Sequence, residues 1–174
     1  MTVTGRVFGV LRLSPEVFEE IEADHKANGQ ALAIVVIGTL AAGLGGGQYG
    51  GPARMLLEMI GAVVGLITWA ALTYVLGVRL MPEPQTRSNV GELLRVMGYA
   101  TTPGFFSAFG AIPIAGRVVP YVVSLWLLGT FTIGVRQALD YRSTFRALVV
   151  VVVGWLFWVW TRDFGIPWAW SLLF

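Results

Sequence analysis

Hydrophobic residues run through this chain in long blocks interrupted by short polar stretches, and the blocks have the length and evenness of membrane-crossing helices. The longest uncharged run, Met59 to Val78, is enough to cross about 30 Å of hydrocarbon unaided. Around it the pattern predicts spans at about 31–46, 55–80, 91–112, 117–139 and 145–161. The connections are the turn GLGGGQYGGP, the polar loop MPEPQTRSNV, a turn at Pro113 and Gly116, and the short DYRST. Ser88 or Asn89 can cap the third span, with Glu92 in its first turn. That span is apolar yet carries Gly98, Pro103, Gly104, Gly110 and Pro113. A proline frees a backbone carbonyl that lipid cannot satisfy, so this segment is predicted to be an irregular inner helix shielded by the others.

Ahead of the first span the period changes. RVFGVLRL alternates Val7, Phe8, Val10 and Leu11 loosely with Arg6 and Arg12, as a stretch lying on a membrane surface would. Ser14 and Pro15 then open a helix predicted to reach Ala27, with Val17, Phe18 and Ile21 on one face and acidic residues on the other. The reading is a cytoplasmic lead-in helix, with Phe18, Glu19 and Glu20 as candidate partner-docking residues. The expected fold is therefore all-α: a polytopic membrane protein, a compact bundle of five transmembrane helices behind a short N-terminal amphipathic cytoplasmic helix. Residues 1–30 form the head, 31–161 the membrane domain and 162–174 an aromatic interfacial tail. Trp155, Trp158, Trp160, Trp168 and Trp170 suit the headgroup level.

Composition agrees with this solvent: 56% of the 174 residues are hydrophobic and only 13% charged, where a soluble domain carries about 25%. A net charge of +2 gives no footing for nucleic acid, and the first apolar span starts too late for a cleavable secretory signal. Five crossings put nine basic residues (Arg6, Arg12, Lys26, Arg79, Arg87, Arg95, Arg136, Arg142 and Arg146) on one side and Arg54, Arg117 and Arg162 on the other. The richer side is assigned to the cytoplasm, placing the N terminus inside and the C terminus outside. The acidic head is expected to fold back over Arg87, Arg95, Arg142 or Arg146.

Chemistry is scarce. There is no cysteine, and His25, the only histidine, lies in the head. No serine has a base placed to activate it, and GLGGG lacks the lysine of a phosphate loop, so no catalytic, cofactor-binding or metal residue is expected. Glu58, four residues after Arg54, is the one acid near a span and reads as an interfacial pair. Gly61 and Gly65 form a small-xxx-small pair, expected first to pack helices within the chain and second to form a dimer face.

Gly98-Tyr99-Ala100 with Pro103, Pro113 closing that span, and Trp126 to Gly134 leading into VRQALDYRSTFRAL resemble bacterial members of the Yip family, named for interaction with Ypt/Rab GTPases. The likeness covers about 32–156. It implies a compact five-helix integral membrane protein without known catalysis, in which Gly98, Tyr99, Pro103 and Pro113 are structural. Eukaryotic relatives are implicated in vesicle traffic and membrane shaping. Their Asp-Leu-Tyr-Gly-Pro motif has no counterpart in residues 1–30, so GTPase binding is not carried over. The expectation is a non-enzymatic scaffold or membrane-organising protein of the bacterial inner membrane. Its candidate associates are the lipid bilayer and a protein partner or second copy, and no cofactor is expected. The alternative is a small transporter or channel for an uncharged or lipid-like solute.

Overall fold

A cap fixes where the central helix begins. Asn89 accepts the Glu92 backbone N–H at 3.0 Å while the Glu92 carboxylate accepts the Asn89 N–H at 3.0 Å, a reciprocal capping box that opens a helix at Val90. This helix, α5 (Val90–Ala100), is buried almost all round from Leu93 to Ala100, because other helices surround it. In the computed structural model, which describes residues 1–46 and 51–160, the other α-helices pack around it, the last of them mainly against its neighbours. They are α1 (Val3–Leu11), α2 (Pro15–Ala23), α3 (Ala27–Gly46), α4 (Pro52–Tyr74), α6 (Val119–Ala138) and α7 (Thr144–Trp160). Every regular element among the described residues is helical.

The third predicted span is two pieces. α5 stops at Ala100, and after Thr101 the chain tightens into a 3-10 helix, Thr102–Ala111, with Pro103 near its start. Pro103 is buried and Pro113 lies exposed just beyond the segment. The hydroxyls of Thr101 and Thr102 turn back onto the carbonyls of Gly98 (2.7 Å) and Tyr99 (2.5 Å), satisfying acceptors that the break releases. At the end of α4 the chain widens into a π-helix, Val75–Leu80, packed against Leu139 at Gly77.

Among the described residues three helices are long and apolar enough to cross a membrane: Ala27–Gly46, Pro52–Leu80 and Val119–Ala138. α7 is apolar but shorter, and the broken third span is not one continuous helix. The predicted lead-in helix also ends early. At Asp24 the backbone is extended, and its carboxylate accepts the Lys26 N–H at 2.9 Å, so the chain breaks there and α3 restarts at Ala27 instead of Ala31. The expected tail 162–174, and the side chains of Trp158 and Trp160, lie outside the described residues.

Candidate functional site

The head is part of the bundle. Val17, Phe18 and Ile21 are buried, and Phe18 fits against the bare backbone of Gly134, where a Cβ would stand 3.1 Å from its ring and 2.8 Å from Val96. Phe18, a candidate docking residue, therefore fills an internal seam and is not offered to a partner. Glu19 is exposed and accepts the Gln137 amide at 2.8 Å, while Glu20 pairs with Arg6 at 3.1 Å and with the N-terminal amine.

Two arginines hold this head down. Arg6, almost fully buried, reaches Asp24 at 2.6 Å and Gln30 at 2.9 Å. The Gln30 side-chain oxygen also accepts the hydroxyl of Tyr99, which is wholly enclosed. Tyr99 thus acts as a structural link between α5, α3 and α1. Arg95, buried on α5, donates twice to the Glu22 carbonyl, at 2.6 and 3.1 Å. The head does fold over Arg95 as expected, but the acceptor is a backbone carbonyl and not one of the carboxylates. The Arg146 guanidinium instead faces Glu83 at 3.8 Å, and the Arg142 backbone N–H donates to the same carboxylate.

Burial pushes the Glu22 carboxyl up to about 7, with the nearby charges of Glu92 and Asp140 adding to the shift. The Arg6 hydrogen bond holds Asp24 below its usual range, and the N-terminal amine does the same for Glu20. Further bonds from Gln85 to the Asp140 carbonyl (2.8 Å) and from the Arg142 N–H to Glu83 (2.9 Å) join the loops at 81–89 and 139–143 to each other.

Deeper in, the bend in the third span opens a cavity of about 440 Å³ between α3, α4, the 3-10 segment, α6 and α7. Trp69, Phe131, Leu66, Leu127 and Trp155 are its large apolar lining residues, with the Trp69 and Phe131 ring centroids 4.4 Å apart. Among the described residues none that lines it is titratable, and its polar groups are the hydroxyls of Thr39, Thr101 and Ser107 and the indole N–H groups of Trp69 and Trp155, the Trp69 one buried without a hydrogen-bond partner. Tyr99 and Thr102 do not reach it.

The glycine pair divides. Gly65 lines the cavity, whereas a Cβ at Gly61 would meet nothing within 4 Å. Among the described residues, therefore, no helix packs closely at Gly61. Gly98 does allow close approach: a Cβ there would stand 2.8 Å from that of Ala31. Arg54 and Glu58 pair loosely at 3.8 Å on the exposed part of α4. Among the described residues no three or more His, Cys, Asp or Glu side chains gather closely enough to hold a metal ion.

Sequence reasoning missed Arg6, Gln30 and Tyr141. The Tyr141 hydroxyl shares its proton between the carbonyls of Gly77 (2.9 Å) and Met81 (2.7 Å), groups exposed by the π-helix. Its only signal was its place in the DYRST loop.

The Yip1 domain family model matches residues 8–161 of the chain. The chain belongs to the Yip1 domain family. The match starts at Phe8 in α1, so the Yip1 domain here takes in most of the head, which the packing of Phe18 and Arg6 already joins to the bundle. No curated protein and no solved structure matches the chain.

Proposed function

We propose that this Yip1-domain protein is a non-enzymatic scaffold that works through contacts made in the plane of the membrane, crossing it five times with its N terminus in the cytoplasm and its C terminus outside. The bacterial inner membrane is the setting that fits this reading. One observation carries it: the Pro52 half of α4 stands clear of the bundle, with Leu57, Ile60, Val64 and Ile67 exposed along one face. Such a face needs apolar company, supplied by lipid or by another membrane helix. In the head, Arg6 pairs with Glu20 and Asp24, and Glu19 is held by Gln137 of α6.

The natural chain has no cysteine, so Leu57→Cys is the sole thiol. In native membranes a lipid-soluble thiol reagent carrying a photoreactive arm at this position is expected to join the protein to a second polypeptide or a second copy. Recovery of lipid-modified monomer alone would defeat the scaffold reading. Transport of an uncharged or lipid-like solute is the second reading, favoured by the cavity, and solute flux in reconstituted vesicles that Ala62→Phe abolishes is its test.

A further inference from the structure

The cavity and the exposed ion pair of α4 lie on one continuous line. Arg54, Glu58, Ala62, Leu66 and Trp69 recur at helical spacing, so the side of α4 that walls the cavity carries the charged pair above it. Eight residues separate Arg54 from Ala62, or about 12 Å along the axis. The volume, about 440 Å³, falls within the roughly 300–1,000 Å³ typical of small-molecule sites. With no titratable group among the described residues of its mainly apolar wall, the cavity suits hydrocarbon better than an ion or a headgroup. Its rim includes the exposed Ala42 and the half-exposed Trp155, so entry is sideways, from where lipid would stand. The Arg54 guanidinium is more than half exposed, and its 3.8 Å contact with Glu58 leaves donors free.

We propose that this line is a glycerophospholipid site, with one acyl chain in the cavity and the phosphate against Arg54. The guanidinium fork matches phosphate oxygens, and the bilayer places phosphates above the ends of their own chains in the same order. The inference rests on the membrane reading but not on the scaffold reading. It concerns bound lipid, whereas the cross-linking test above reads protein adducts, so either can fail alone.

The test is native mass spectrometry of the full chain in detergent, titrated separately with phosphatidylglycerol and with diacylglycerol of identical chains. One phosphatidylglycerol per protein copy is expected, bound at least tenfold better than diacylglycerol. Arg54→Gln should bring phosphatidylglycerol down to the diacylglycerol level and leave diacylglycerol unchanged. Ala62→Phe, which fills the cavity, should weaken both at least tenfold. Ala42→Phe at the exposed rim repeats that test at a position the fold tolerates. Equal binding of the two lipids, or binding that survives both phenylalanine variants, would overturn the proposal.

Discussion

Gly98 and Gly61 have the same side chain and opposite surroundings, and that contrast makes them useful. At Gly98 a new Cβ would stand 2.8 Å from the Ala31 Cβ and 3.3 Å from its carbonyl oxygen, so α3 and α5 must part. Gly98→Ala is expected to cost about 1–3 kcal/mol, the usual penalty of overpacking, and to lower the unfolding midpoint in detergent. Gly61→Ala meets open space and removes a flexible helix residue, so it should leave that midpoint unchanged or raise stability by up to about 1 kcal/mol. Equal losses at both sites would show that α4 packs where it stands clear here. Glu22 supplies the prediction on pH. Its carboxyl pKa in the folded chain, about 7, lies above the ordinary carboxylate value, so folding favours the protonated form. That contribution is full below the ordinary carboxylate range and fades as pH rises through about 7. Asp24 and Glu20, whose pKa values are lowered, act in the opposite sense and lose their contribution only at acid pH. Proteolysis of residues 14–27 should therefore speed up as pH rises from the ordinary carboxylate range to about 7 and level off above it. Glu22→Gln should flatten that rise, and a rise persisting in the variant would place the titration elsewhere.

A ten-residue 3-10 helix is unusual, since runs beyond about 3–4 residues are uncommon. Its narrow cross-section lets α3 come close: a Cβ at Gly45 would fall onto the Ser107 peptide group, and one at Gly110 would stand 3.1 Å from the Gly45 carbonyl oxygen. Two residues earlier, Gly43 has nothing within 4 Å of its Cβ position. Gly45→Ala is thus expected to lower the unfolding midpoint strongly while Gly43→Ala does not, although both sit in the same helix and the same glycine-rich run. Equal effects would mean that the 3-10 segment does not lie against α3. These two elements also show what the sequence could and could not disclose. Pro103 and its neighbouring glycines announce a broken helix, and Asn89 with Glu92 announce where it starts, because caps and prolines act within a few residues. Whether the broken half becomes 3-10 depends on how near α3 comes, which no local pattern records. The π-helix at Val75–Leu80 was invisible for the same reason, its freed carbonyls being met by Tyr141 some sixty residues later. In the head, the apolar face of Val17, Phe18 and Ile21 was legible, but its partner was not: periodicity marks a face to be covered without saying that α5 and α6 cover it.

For the molecule as a whole, the undecided quantity is how often the chain crosses the bilayer, and simple lengths bear on it. α5 contributes 11 residues at about 1.5 Å each and the 3-10 segment 10 residues at about 2.0 Å, together about 36 Å. That exceeds the roughly 30 Å hydrocarbon core, and the same 21 residues as regular α-helix would still reach about 31 Å, so the element is long enough to cross and its drawn-out second half adds about 5 Å. α7, at 17 residues, sits at the lower end of the range of about 17–25 residues for a spanning helix. Both count as crossings in the proposed five, and the third is the more exposed to test. If it crosses, the loop at 81–89 and the turn at 112–118 lie on opposite sides. If it dips in and returns, they share a side and the number of crossings becomes even. Arg87 and Ile114 are exposed and mark the two connections. In the cysteine-free chain, Arg87→Cys and Ile114→Cys can each be labelled with a membrane-impermeant maleimide in intact cells. Ile114→Cys is expected to label at once, and Arg87→Cys only after the membrane is opened. Matching behaviour at the two positions would make the 3-10 segment re-entrant, and the segregation of nine basic residues from three would then lose its basis.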